Sequence, residues 1–376
     1  MVQVIVASVA LAAWLYLTVM HGGFWRTSVR LPRRRTPDVW PHVVAVVPAR
    51  DEAAMLPSTL PTLLAQQYAG DFQVIVVDDA STDETGAIAL ELGAQVVEVN
   101  GPPPGWAGKV NAMAAGVGAA GKPDYLLFTD ADIRYPPTAL TELVEAATTG
   151  EFDLTSQMVR LRAVSFWERV VVPAFVYFFA QLYPFSRVNT ATSKVAAAAG
   201  GCMLVRASAL ASAGGLEQIA GAHIDDVALG RLLKRNGSRI WLGFSSDVES
   251  VRPYPKLADL WHMVSRSAYT QLGYSPLLLL ATVIGLLLVY VVPPAALITG
   301  LVRQDAPLAS IGAAAWLLMT VTYFPIVRFY RLSPWRALTL PLIALLYLSM
   351  TLDSARRHVR GHGGGWKGRT IAAVRR

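Results

Sequence analysis

"LLFTDADIRYPP", residues 126–137, carries an apolar run directly into two carboxylates, Asp130 and Asp132. An isolated buried carboxylate is costly, so two of them at the end of an apolar strand call for a positive partner. The run itself, "DYLLFTD" (124–130), reads as the fourth of a series. "VVAVVP" (43–48), "FQVIVVDDAS" (72–81) and "AQVVEV" (94–99) are the other three strands. Helical patterns over 54–67, 82–92, 108–119 and 137–148 alternate with them. Strands alternating with helices predict an α/β domain with a parallel, Rossmann-like sheet, spanning 43–273.

On either side of that domain the chain is strongly apolar. Hydrophobic residues make up 53% of the sequence and charged residues 16%, below the usual quarter for a globular domain. Residues 2–21 carry no charge and precede Arg26, Arg30, Arg33, Arg34 and Arg35. Positive charge after the apolar run marks an uncleaved anchor, 1–25, whose C-terminal end is cytoplasmic. Three further uncharged runs, 277–301, 308–327 and 337–352, predict C-terminal transmembrane helices over 277–352. The last run, at about 24 Å of helix, is short for a full crossing. If it crosses, the basic tail 353–376 emerges opposite the basic loop at Arg328, Arg331 and Arg336. A re-entrant or interfacial segment avoids that conflict with the positive-inside pattern. Residues 165–187 are aromatic and apolar, and are expected to form an interfacial helix, with a buried core helix as the alternative.

The net charge of +7 clusters beside apolar segments, which favours a membrane surface over nucleic acid as partner. One cysteine, Cys202, excludes an intrachain disulfide framework and a cysteine zinc site. GxGxxG occurs at 116–121, at the end of a helical pattern and ahead of a strand, and at 363–368 in the basic tail. Neither follows a strand and opens a helix, and GxxxxGK[ST] does not occur, so dinucleotide oxidoreductases and P-loop enzymes lack their fingerprints.

In an open parallel sheet, ligands bind beyond the carboxyl ends of the strands. Asp78 and Asp79 end strand two, and Asp130 and Asp132 end strand four, so both pairs are expected at one crevice. A hard divalent cation, Mg or Mn, that also holds phosphate oxygens meets the need of the second pair. "VPARDE" (47–52) supplies a polar turn suited to a nucleotide base. "GWAGKVNAM" (105–113) brings Lys109 toward a phosphate, or leaves it as a solvated lysine. "GAHIDDVALG" (221–230) places Asp225 and Asp226 at a helix start. Helix-dipole stabilisation is one reason for acids there, and a general base is the other.

With "VPARDE", "VVDDASTDET", "FTDAD" and "HIDDVALG" in this order, the chain resembles membrane-bound family-two glycosyltransferases of the GT-A fold. "GWAGK" and the late "GWKGR" (365–369) are closest to the hopene-associated subgroup. The resemblance implies an inverting, metal-dependent transferase that moves a sugar from a nucleotide-sugar donor to a membrane lipid, possibly hopanoid-related. It further implies a multi-pass protein of the inner or cytoplasmic membrane with a cytoplasmic catalytic domain. Pro48, Arg50, Glu52 and Asp79 would line the donor site, with Asp130 and Lys109. Asp132, then Asp130, would hold the metal, and Asp226 would be the base with Asp225 second. Arg266, Trp366, Lys367 and Arg369 are candidates for acceptor or diphosphate contact. The Gln-x-x-Arg-Trp motif of processive synthases is altered: around Arg266, Met263 and Ser267 replace glutamine and tryptophan. That weighs against the alternative of polysaccharide synthesis, while a non-catalytic scaffold fits poorly with three acidic clusters present.

Overall fold

The computed structural model describes residues 1–360 and the backbone of two short paired strands, Gly365–Trp366 and Arg369–Thr370. Of the tail candidates, Lys367 lies outside the described residues, as do the side chains of Trp366 and Arg369. The chain divides into two compact units. A helical unit comprises Met1–Thr27, Ala163–Ser186 and Tyr254–Gly364; a sheet unit comprises Ser28–Arg162, Arg187–Pro253 and Gly365–Arg376.

In chain order the helices are α1 (Val2–Val19), α2 (Leu56–Leu64), α3 (Thr85–Glu91), α4 (Gly108–Ala119), α5 (Ala139–Thr149), α6 (Phe166–Leu182) and α7 (Phe185–Val188). They continue as α8 (Ala207–Ser212), α9 (Asp225–Arg235), α10 (Leu257–Gln271), α11 (Pro276–Leu286), α12 (Val292–Arg303), α13 (Ala306–Phe329) and α14 (Leu340–Val359). The strands are β1 (Val43–Ala49), β2 (Phe72–Asp79), β3 (Gln95–Val99), β4 (Tyr125–Phe128), β5 (Ile133–Arg134), β6 (Leu154–Leu161), β7 (Met203–Arg206) and β8 (Ile240–Ser250).

The sheet runs β3-β2-β1-β4-β7-β6-β8-β5. β1 is buried along its whole length, as a central parallel strand between helical layers must be. The expectation of a parallel sheet holds for β3, β2, β1 and β4. It fails beyond β4, where β7 runs antiparallel to both β4 and β6 and the sheet becomes mixed. The physical reason is the connection: β7 is entered from the extended segment 189–202 rather than from a crossover helix packed on the sheet. Strand order reverses between β1 and β4, so a crevice opens at their carboxyl ends.

In the helical unit, four segments are long and apolar enough to cross a membrane: Val2–Val19, Pro276–Arg303, Ala306–Phe329 and Pro334–Val359. The last is longer than its uncharged run, because a 3-10 turn, Pro334–Thr339, precedes α14 and charged residues extend it. Side-chain contacts fix the register of these helices. Arg303 Nη1 donates to Gln3 Oε1 (3.0 Å) and Trp14 Nε1 to Val289 O (2.7 Å). Trp316 Nε1 donates to Leu338 O (3.3 Å), and the His358 ring stacks on Tyr274 with centroids 4.2 Å apart. α6 starts in a capping box: Ser165 accepts from Glu168 N, and the buried Glu168 carboxylate accepts from Val164, Ser165 and Tyr254 N–H groups. Along α6, Val171, Val172, Val176 and Tyr177 are buried, whereas Phe166 and Leu182 are exposed. Tyr177 bonds Thr322 and Phe178 packs on Tyr347 and Tyr290.

Candidate active site

Each acidic strand end is met by a cation from another element. Asp130 Oδ1 lies 2.8 Å from Lys109 Nζ, and the same ammonium lies 3.0 Å from Asp225 Oδ2. Asp132 is 7% exposed; its Oδ2 accepts from Ser250 Oγ (2.7 Å) and Arg252 Nε (3.1 Å). Arg252 Nη2 also reaches Glu52 Oε1 at 2.6 Å. Two chains result, Glu52–Arg252–Asp132 and Asp130–Lys109–Asp225. They join the ends of β1, β4 and β8 and the starts of α4 and α9 around the switch point between β1 and β4.

The turn after β1 is knitted to the turn after β2. Arg50 Nη1 donates to Asp79 O (2.6 Å) and Ala80 O (2.9 Å), while Asp51 Oδ1 accepts from Thr82 N–H (2.7 Å). Glu52 N–H donates to Thr85 Oγ1 (2.8 Å). Asp51 and Ala80 both adopt positive φ, 49° each, in these tight turns. Pro48 and Asp79 are buried within the strands that lead to them. Pro48, Arg50, Glu52 and Asp79 therefore share the β1–β2 side of the crevice.

Lys109 occupies the first turn of α4 because the preceding loop is pinned: Ala107 N–H donates to Ala220 O at 2.7 Å. Burial alone would lower the lysine's pKa, but Asp130 and Asp225 outweigh it and hold the ammonium charged, well above the ordinary value. Its ion pairs are with these two carboxylates.

Asp226 lies at the N-terminus of α9, where Oδ2 accepts from Gly200 N–H (2.9 Å) and Oδ1 from Val227 N–H (2.7 Å). Burial, then the Asp225 charge, push its carboxyl up to about 7, against the lowering effect of Lys109 and the two N–H groups. A carboxylate poised there suits proton transfer near neutrality. The segment 187–200 runs beside α9 and is held at three of its positions, four residues apart. Asp226 takes the Gly200 N–H; at Gly230 an added Cβ would fall 2.8 Å from the Ala197 carbonyl carbon; Lys234 Nζ donates to Val188 O (2.7 Å) and Val195 O (2.8 Å).

Arg252, Ser250 and Gly200 were not singled out in the sequence. Arg252 follows β8 in "SVRPYP", and its only signal is a basic residue just past a strand end. Arg266 is exposed on α10 in the helical unit and so belongs to the other unit from the acidic pair. Cys202 is buried, and desolvation pushes its thiol up to about 12, which leaves it inert. The described residues contain no group of three or more His, Cys, Asp or Glu placed to hold a metal by themselves.

This architecture is a GT-A-like glycosyltransferase fold with apolar helices at both ends. The solved structure of mannosyltransferase PcManGT from Pyrobaculum calidifontis, in complex with GDP-Man and Mn2+, superposes with a TM-score of 0.58. The alignment covers 95% of this chain and 99% of that one at 16% identity. Residues 44–213 match the sequence profile of Glycosyl transferase family 2. Among curated relatives, 4,4'-diaponeurosporenoate glycosyltransferase of Staphylococcus aureus (strain MRSA252) is 38% identical over 91 residues, 24% of each chain. Its Staphylococcus haemolyticus (strain JCSC1435) counterpart is 35% identical over 110 residues, 29% of this chain and 28% of that one. The chain thus spans about a quarter of the length of these relatives.

Proposed function

We propose that the chain transfers a sugar from a nucleotide-sugar donor to the hydroxyl of a membrane lipid, with inversion at the anomeric carbon. The observation that carries this reading is the pair of cation-bridged carboxylate chains at the β1–β4 switch point, with a partly buried carboxyl near neutrality beside them. Asp226 accepts the acceptor hydroxyl proton as the oxygen attacks the anomeric carbon. The bond from that carbon to the diphosphate breaks, and the nucleoside diphosphate leaves with the electron pair. The Gly200 and Val227 N–H groups hold the Asp226 carboxylate in place during attack. Pro48, Arg50, Glu52 and Asp79 line the nucleoside side.

A divalent cation fits two carboxylates at a strand end when the rest of its shell is phosphate and water. Bound there, it would neutralise the diphosphate as a leaving group. One oxygen of each carboxylate is already engaged, Asp130 Oδ1 by Lys109 and Asp132 Oδ2 by Ser250 and Arg252. Asp132, then Asp130, are the proposed ligands.

The lipid acceptor is supported by the four apolar segments and by relatives named for 4,4'-diaponeurosporenoate; the motif likeness narrows the acceptor toward hopanoids. The catalytic unit is assigned to the cytoplasmic side from the arginines after α1. The last apolar segment is read as re-entrant. The Trp316–Leu338 bond sets the start of α14 partway down α13, and the His358–Tyr274 stack returns its end to the level where α11 begins. Lipid extracts from cells with and without the gene, compared by mass spectrometry, test the function. A glycolipid present only with the gene and lost in Asp226→Asn supports it; identical lipid profiles contradict it.

A further inference from the structure

We propose that Lys109 is a positioning residue that couples the Asp130 motif to the acidic pair, bridging Asp130 and Asp225 and setting the charge beside which Asp226 works. The inference rests on the reading of Asp226 as the base. Lys109 Nζ stands between Asp130 Oδ1 (2.8 Å) and Asp225 Oδ2 (3.0 Å), a bridge from the end of β4 to the start of α9. Its side chain is 17% exposed and Asp225 13%, so solvent screens this pair only weakly. Gly200 makes room for it: a Cβ there would lie 3.1 Å from Lys109 Nζ and 3.4 Å from Asp226 Oδ2. Lysine and base thus face each other across a glycine whose own N–H binds the base.

The charged surroundings of Asp226 leave Lys109 as the nearby cation that opposes Asp225. On its own helix the neighbour is Asp225, with His223 just before the helix start. Segment 195–201, "VAAAAGG", brings no charge. The 3-10 turn Leu216–Ile219 brings Glu217, which is exposed. The charged residues of β8, Asp247 and Glu249, lie in its second half, where Glu249 pairs with Arg134. Lys109 therefore lowers the cost of ionising Asp226, while its contact with Asp130 ties that effect to the donor side of the crevice.

The test is the pH dependence of lipid glycosylation by full-length protein in bilayer discs, with donor KM and kcat measured separately. Lys109→Met should move the acid limb of kcat up by about one pH unit, the scale of losing one nearby opposite charge, with donor KM within twofold. Lys109→Arg should restore most of the shift. An unmoved limb with a raised donor KM would make Lys109 a phosphate contact and overturn the inference. If Lys109→Met fails to fold because Asp225 is left unpaired, Lys109→Met/Asp225→Asn removes both charges. That double variant should return the limb toward the wild-type value. The titration of Asp226 is also read without turnover, by carboxyl-selective labelling across pH and peptide mass spectrometry. A wild type that titrates as described yet transfers no sugar would contradict the functional reading while upholding the role of Lys109; a labelling midpoint unchanged in Lys109→Met would refute that role.

Discussion

Asp226 carries the sharpest consequences. A base must be ionised to accept a proton, and its carboxyl is held up at about 7. Activity should therefore fall below neutrality as Asp226 protonates, rise through pH 7 and level off above it; a pH–kcat profile checks this. Asp226→Asn keeps the shape but cannot take the proton, so kcat should drop roughly 10²- to 10⁴-fold with donor KM little changed. Arg252 is the second case. It is the shared cation for Glu52 and Asp132, both nearly buried. Arg252→Met removes the cation that the two carboxylates share, a loss on the order of 3 kcal/mol for a broken buried pair. A lowered melting temperature together with a raised donor KM is expected. Arg252 was invisible in the sequence because its importance lies in reaching two carboxylates 120 and 200 residues away.

At the scale of elements, α9 acts as a ruler. Positions 226, 230 and 234 lie on one face at four-residue spacing, and each holds a different part of segment 187–200. Gly230→Ala gains about 1 kcal/mol of helix propensity. It also drives a methyl into the Ala197 backbone, and such overpacking costs roughly 1–3 kcal/mol. The net expectation is a lower melting temperature and a lower kcat, as the Gly200 N–H shifts away from the base; calorimetry and steady-state kinetics check the two. The parallel half of the sheet was legible because β1, β2 and β4 are short apolar runs that end in acidic or polar turns. The antiparallel turn at β7 was not, since strand direction depends on the path of segment 189–202, which has no periodic pattern. The acidic pair was legible from "HIDD", but the Gly200 donor that serves it comes from a loop whose alanines and glycines carry no sequence signal.

For the whole molecule, the proposed re-entrant reading of α14 carries a prediction of membrane sidedness. With α14 re-entrant, its C-terminal end is expected on the side where α11 begins, together with the basic residues after α1 and around 328–336. A cysteine at Thr370 in a Cys202→Ser background should react with an impermeant thiol reagent only after intact cells are permeabilised; labelling of intact cells would make Pro334–Val359 a crossing. The central claim is sugar transfer to a lipid through Asp226. It is tested most directly by purified protein in bilayer discs, supplied with a panel of nucleotide sugars and membrane lipids, with the product's anomeric configuration read by NMR. The account predicts a glycolipid of inverted configuration from the wild type, and at least a hundredfold less from folded Asp226→Asn. A retained configuration, or equal transfer by the two proteins, would contradict it.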